Sequence, residues 1–235
     1  MIPKKIHYCW FGRNDKPKLA EKCIASWKKY CPDYEIIEWN EDNFDVYQNE
    51  YTKFCYENRK WAFLSDYARL QIVYDNGGIY FDTDVEVIKI FDDLLEFEAF
   101  YGFENDNYIA SGLGFGAEKE HPSLKLMIDE YLSFKKDKNG VMEMIGCPTL
   151  NTYALKKFGT QINGKCQEVK NVKILSAEYL NPYDDATGRL NSTDNTYSIH
   201  WFAKSALDTK AKIRAKLTRP LHRIFGVDAF ARFRK

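Results

Sequence analysis

Two aspartates one residue apart, Asp82 and Asp84, follow the apolar run Ile79-Tyr80-Phe81. The run suits a buried strand, and a buried strand tolerates little unpaired charge. Alternation along an extended chain puts both carboxylates on one side, about 7 Å apart. Two carboxylates at a strand end repel unless a cation sits near them. A hard divalent ion with oxygen ligands, which also binds a diphosphate, accounts for the pair economically. One helix upstream, Asp66 and Arg69 are three residues apart and share a helix face. A surface ion pair is the plain reading of these two. The apolar helix around them, running directly into the carboxylate strand, favours a functional one. Trp10 ends the first strand-like run, on the carboxyl edge where open α/β sheets bind ligands, and suits stacking on a nucleotide base. His7, inside that run, reads as a hydrogen-bonded core residue. The last strand-like run, Tyr197 to Trp201, delivers His200 and Trp201.

The elements that must place these residues are legible from pattern. Residues 6–11 read as a strand, Asp15 and Pro17 as the start of a helix to about Tyr30, and Tyr34 to Trp39 as a second strand. This β-α-β opening belongs to the α/β class. Residues 41–60 suggest one or two short helices. Ala62 to Asn76 is a stronger helix, with Phe63, Tyr67, Leu70 and Tyr74 on its core face and Gly77-Gly78 stopping it. Strands are expected at 87–88, 99–103, 113–116 and 172–175. Helices are expected at 92–95, 122–134, 141–145 and from about Pro148 to Phe158. Residues 104–107, 159–171 and 182–195 read as turns and loops. His121, next to Pro122, reads as a helix-start residue.

The 235 residues fit one large domain, with 45% hydrophobic content for its core. The formal net charge is zero but unevenly spread. Residues 204–235 carry ten Lys or Arg against Asp208 and Asp228, a net +8, which leaves residues 1–203 at −8. The composition thus places a boundary at 203/204, with an acidic body, residues 1–203, before it and a basic tail, residues 204–235, after it. In the tail, Ile213, Leu217, Leu221 and Ile224 form an apolar stripe that Pro220 kinks or divides. Such a segment suits an anionic membrane surface; a helix packed on the body is the alternative. The acidic body and the lack of a reading motif argue against nucleic acid. None of the six cysteines lies in a CxxC pair, so reduced core thiols are expected rather than a zinc site. No run of 18 apolar residues and no signal peptide is apparent, so a cytoplasmic protein, peripheral on the inner face of the cell membrane, is expected.

The segment Ser65-Asp66-Tyr67-Ala68-Arg69-Leu70, followed by Tyr74-Asp75-Asn76-Gly77-Gly78-Ile79-Tyr80-Phe81-Asp82-Thr83-Asp84-Val85, resembles the DxD-containing sugar transferases of glycosyltransferase family 32. That group includes capsular-polysaccharide transferases, fungal α-1,6-mannosyltransferases and the catalytic domains of the large glucosylating toxins. The opening Ile2-Pro3-Lys4-Lys5-Ile6-His7-Tyr8-Cys9-Trp10 and the ending His200-Trp201-Phe202-Ala203-Lys204-Ser205 are similar to the same family, in its order. The resemblance implies a GT-A-type nucleotide-diphospho-sugar transferase fold, a mixed central sheet with helices on both faces. It implies a nucleoside-diphosphate sugar donor, UDP favoured, bound through Mn²⁺ or Mg²⁺. Asp84 would ligate the metal directly, and Asp82 would touch the ribose or reach the metal through water. His200 falls where relatives place a further ligand or phosphate contact, with Trp201 and Ser205 near it. Asp66 and Arg69 would hold sugar hydroxyls and the diphosphate side; Tyr8, Trp10 and Thr83 complete the donor side. Asn105, Asp106, Pro148 and Thr149 fall toward the acceptor. Relatives often have Ser-Trp where this chain has Ser205-Ala206. The family implies retention of anomeric configuration, and with no nucleophile standing out, a front-face substitution is the working expectation. The acceptor would be a lipid-linked glycan of surface polysaccharide synthesis, such as capsule.

Two other readings compete. A haloacid-dehalogenase-type phosphatase also ends an apolar strand in DxD, but wants Thr or Val where this chain has Glu86. A catalytically inactive protein that binds sugar nucleotide or a membrane surface would retain the same charged positions.

Overall fold

The computed structural model describes residues 1–203 and 218–226. In chain order the elements are β1 (Lys5–Cys9), α1 (Lys18–Tyr30), β2 (Glu35–Trp39), α2 (Glu50–Glu57), α3 (Trp61–Asn76), β3 (Gly78–Tyr80) and β4 (Val85–Val87). A 3-10 turn (Asp92–Glu96), β5 (Ala99–Asn105), β6 (Tyr108–Ile109), a second 3-10 turn (Ser111–Leu113), β7 (Phe115–Ala117), α4 (Pro122–Leu132) and α5 (Cys147–Phe158) follow. The body ends with β8 (Gln167–Val169), β9 (Val172–Leu175), α6 (Ala177–Leu180), β10 (Tyr183–Asp184), β11 (Arg189–Leu190) and β12 (Ser198–His200). Residues 218–225 are helical.

The main sheet runs β2-β1-β3-β7-β5-β9-β8, with β6 on β5. β1 is parallel to β2 and β3, β3 and β5 are antiparallel to β7, and β5 is parallel to β9. The sheet is mixed, as expected. Its inner strands are buried on both faces because alternate residues serve two cores. Cys9, Tyr80 and Tyr101 pack with α2, α3, α4 and α5, whereas Ile6, Tyr8, Ile79 and Phe100 pack with Cys23 and Trp27 of α1 and Leu180 of α6. Helices therefore cover both faces. A separate antiparallel pair, β4 with β12, brings the last strand of the body against the chain that follows the two aspartates.

Several local expectations are corrected. α1 begins at Lys18 with Pro17 as its N-cap and no side-chain cap, so Asp15 does not start it. The two aspartates do not share a strand: β3 ends at Tyr80, and the Val85 N–H closes a turn on the Asp82 carbonyl (3.0 Å). Residues 141–145 form no helix. Asp137 accepts the N–H groups of Asn139 and Val141 around Gly140 (φ 76°), and Met142 bridges Lys136. Gly140 at positive φ and the Met142–Lys136 bridge turn the chain back on itself, and so short a segment does not hold a helix unaided. Residues 159–171 contain β8, and residues 182–195 contain the β10–β11 hairpin, whose turn is held by Asp184 accepting from Ala186 and Thr187.

Candidate active site

The glycine pair Gly77-Gly78 sets where the aspartates emerge. Both have positive φ, 64° and 113°, which ends α3 and turns the chain into β3. His7 locks this turn from the neighbouring strand. Its Nε2–H donates to the Gly77 carbonyl (2.9 Å), and its Nδ1 accepts from Trp39 Nε1 (3.1 Å). A Cβ on Gly78 would lie 2.9 Å from that Nε2. His7 is thus the core residue the sequence suggested. Burial, opposed by the Gly77 bond, lowers its pKa to about 4 and keeps it neutral.

Arg69 is the centre of the site. It is only 3% exposed and pairs with Asp66 (2.9 Å) and Asp82 (3.0 Å). Its Nε–H donates to the Ser65 carbonyl (3.2 Å) and its Nη1 to Ser111 Oγ (3.4 Å) and Cys147 Sγ (3.7 Å). The guanidinium also lies over the Tyr80 ring, and the Tyr80 hydroxyl donates to Asp82 Oδ1 (3.1 Å). The plain reading of Asp66 and Arg69 as a surface pair is therefore set aside. Burial opposes the charge on Arg69, but Asp82 and Asp66 hold its pKa above the ordinary value. Burial pushes Asp82 up to about 6, against the pull of Arg69. Asp66 is also raised by burial, with Arg69 and the Cys147 N–H opposing.

Asp84 faces the other way, toward the end of the body. His200 Nε2 lies 3.2 Å from its Oδ1, the Ala203 N–H donates to its Oδ2 (2.7 Å), and the Trp201 N–H donates to its carbonyl (3.0 Å). Burial alone would raise Asp84, but the charge and hydrogen bond of His200 outweigh it and hold it at about 2. Burial lowers His200, and Asp84 more than restores it, so its pKa is raised.

Asp82, Asp84 and His200 each offer one ligand atom, and the three atoms lie within 4.8 Å of one another. Two carboxylate oxygens and an imidazole nitrogen are a donor set for a divalent cation. The His200 Nδ1 is buried and has no hydrogen-bond partner among the described residues. Its Nε2 is shared with a carboxylate, the place a proton or a metal ion can occupy in turn. The residues fit a metal.

Not every expected residue joins this group. Tyr8 and Trp10 lie at the carboxyl end of β1 in a cluster of their own. The Tyr8 hydroxyl donates to Glu38 (2.5 Å), Lys16 pairs with Glu38 (2.7 Å) and sits over both rings, and Trp10 Nε1 donates to the Asn14 carbonyl. Thr83 is half-buried in the turn between the aspartates. Trp201 follows His200 and turns to the opposite side: its Nε1 donates to Glu86 (2.8 Å), under Lys22 and against Tyr183. Asn105 and Asp106 sit in the exposed β5–β6 turn, where Asn105 Oδ1 accepts the Asn107 N–H. Instead it is Glu104, half-buried, whose charge interacts with His200. Pro148 and the exposed Thr149 lie in the first turn of α5, next to Cys147. Ser205 lies outside the described residues. Ser111, Cys147 and Tyr80 belong to the site through side-chain contacts with Arg69 and Asp82, and Gly112 through the close approach of its backbone. A Cβ on Gly112 would lie 2.6 Å from Asp82 Oδ2 and 3.1 Å from Arg69 Nη1.

The sheet and its layers define a GT-A-type glycosyltransferase fold. The fold is shared with the solved PaToxG glycosyltransferase, at a TM-score of 0.50 and 21% identity over 66% of this chain and 68% of that one. Residues 17–101 match the family described as the glycosyltransferase sugar-binding region containing a DXD motif. Among curated proteins, the chain is 30% identical over 131 residues to inositol phosphoceramide mannosyltransferase 3 of Schizosaccharomyces pombe, covering 52% of this chain and 35% of that protein. It is 24% identical over 208 residues to an uncharacterised glycosyltransferase of Acanthamoeba polyphaga mimivirus, covering 83% and 80%. It is 27% identical over 168 residues to the mouse lactosylceramide 4-alpha-galactosyltransferase, covering 65% and 44%. The chain spans 35% and 44% of the lengths of the two fission-yeast mannosyltransferases it matches.

Proposed function

We propose that the protein is a metal-dependent, retaining glycosyltransferase that moves a hexose from a nucleoside-diphosphate sugar, a UDP-sugar above all, to a lipid-linked glycan. The observation that carries this reading is the convergence of Asp82, Asp84 and His200 beside the buried Arg69. Glycosyl transfer breaks the bond from the anomeric carbon to the diphosphate, so negative charge grows on the leaving group and positive charge on the sugar ring. Asp84, Asp82 and His200 would hold a divalent cation, which when bound would supply positive charge to the leaving diphosphate. Arg69 lies next to Asp82, already oriented by two carboxylates, and needs no reorganisation to act on the same charge. Asp66 and Asp82 supply negative charge and hydrogen-bond acceptors toward the ring. Glu104, beside His200, is available at the rim. In a front-face substitution the leaving phosphate oxygen takes the acceptor hydroxyl's proton, so no protein nucleophile is required.

The names of two matched relatives, an inositol phosphoceramide mannosyltransferase and a lactosylceramide galactosyltransferase, support a lipid-linked acceptor. Surface polysaccharide synthesis at the cytoplasmic face of a membrane accords with that chemistry and with the basic residues 204–235. Among the described residues no helix is long and apolar enough to cross a membrane, so contact with the bilayer falls to surfaces and to residues 204–235.

A panel of nucleotide sugars with Mn²⁺ tests the reading. Release or transfer of sugar from one donor is expected. It should vanish with EDTA and in Asp84→Ala, by at least about 10³-fold if the cation stabilises the leaving charge as oxyanion donors do. Binding of donors with no turnover by the wild type, across donors and glycan acceptors, would refute it.

A further inference from the structure

Helix α5 meets the site at two levels. Its first residue, Cys147, accepts from Arg69 Nη1 through Sγ (3.7 Å). One turn further on, two side chains reach the chain that leaves β6. Asn151 Oδ1 accepts the Ser111 N–H (2.9 Å), and Thr152 Oγ1 accepts the Ile109 N–H (2.8 Å). These bonds satisfy backbone donors in a buried stretch. Asn151 is 0% exposed, and its Nδ2 is buried with no partner among the described residues. A buried amide with one end unpaired costs stability. Packing alone does not account for an Asn here; the bond its oxygen makes does.

What that bond holds is the wall of the site. Ser111 Oγ accepts from Arg69 Nη1 (3.4 Å), and the next residue is Gly112, whose Cα carries no room for a Cβ beside Asp82 Oδ2. The backbone at 111–112 is therefore the surface against which the Asp82 carboxylate and the Arg69 fork rest. We propose that Asn151 is a positioning residue, which fixes the Ser111–Gly112 backbone and through it the carboxylate of Asp82. The inference rests on Asp82 being one of the groups that hold a divalent cation.

The test is a double-mutant cycle on the full chain, read by titration calorimetry with Mn²⁺ alone. The variants are Asn151→Leu, which retains bulk, Asn151→Ala, Asp82→Asn, and each Asn151 variant combined with Asp82→Asn. Both single changes at Asn151 should weaken Mn²⁺ binding roughly 10-fold or more, the range for groups that orient metal ligands. The same changes should have less than about twofold effect once Asp82 is Asn, since coupled residues are not additive. Amide hydrogen exchange at Ser111 should accelerate in both, with the rest of the sheet still protected. Unchanged Mn²⁺ affinity in a folded Asn151→Leu chain overturns the inference, as does a loss that multiplies in full with Asp82→Asn. If the wild type binds Mn²⁺ but turns over no sugar nucleotide, the proposed reaction fails while the cycle still decides the role of Asn151. A wild type that binds no Mn²⁺ overturns both.

Discussion

At the scale of single residues, the site is held by charges that cannot relax. Arg69 has a carboxylate on either side and the Tyr80 ring beneath it, and it is 3% exposed. Gly112 closes the remaining side. Its φ is not positive, so alanine is compatible with the backbone there; only space forbids it. Gly112→Ala should leave the melting temperature within a few degrees of the wild type and lower kcat by about 100-fold. That is the cost expected when a reacting group is displaced by about 1 Å. Donor turnover and a thermal melt, measured together, check it; full activity in the variant would refute the contact. Asp66, Arg69, Asp82 and Asp84 are legible in the sequence because charge in apolar runs needs a reason, whereas His200 is legible only through the family resemblance. Ser111, Gly112 and Cys147 are not. Two small polar side chains that accept from one buried arginine, and an ordinary-φ glycine among Ala110, Ser111, Leu113 and Gly114, leave no periodic mark.

At the scale of elements, the joint between α3 and β3 decides where the aspartates appear, and His7 holds that joint. Its pKa is lowered to about 4 in the folded chain, against an ordinary value of 6.5. Between these values the unfolded chain binds the proton and the folded chain does not. Stability therefore rises with pH through this window and is lost as pH falls from 6.5 toward 4. The size is about 3 kcal/mol. Urea unfolding at pH 7 and pH 4.5 should show this loss in the wild type and a smaller one in His7→Gln; equal losses in both would assign the acid sensitivity elsewhere. The strands and long helices of this region were legible because burial on two faces imposes its period on the residues. The turn at Asp82–Val85 was not, because alternation gives no sign of where one backbone hydrogen bond stops the strand. The same holds at 141–145, where the pattern reads as helix but the chain turns at Gly140 and bridges Met142 to Lys136.

At the scale of the molecule, an acidic body carries a basic end. Residues 218–225 dock on the β10–β11 hairpin through their basic side. Arg219 pairs with Asp185 (2.8 Å), Arg223 donates to the Thr187 and Gly188 carbonyls, and His222 bonds Ala186. Pro220 lies in the first turn of this helix and does not kink the described part. Leu221 and Ile224 are 42% and 73% exposed, so the apolar side of the stripe faces outward. Ile213 and Leu217, the other half of the stripe, lie outside the described residues, as do 204–217 and 227–235. The full chain should sediment with anionic vesicles at low salt. Leu221→Asp with Ile224→Asp should weaken this binding, and removal of residues 204–235 should abolish it, each basic residue contributing roughly 1 kcal/mol near the surface. Unchanged sedimentation after the truncation would sink the membrane role. The charge imbalance was plain in the sequence, but which side of the helix meets the body was not, since arginine serves a carboxylate and a phosphate equally well. The pairing of β4 with β12 has a consequence for how the molecule comes into being. It joins positions such as Glu86 and Trp201, 115 apart in the chain, and Asp84 waits for Ala203, 119 positions later. Asp84 therefore stands without its partner until residues 200–203 have been made. The contact is of the slow, long-range kind, and a chain that stops short of His200 lacks one wall of the candidate site.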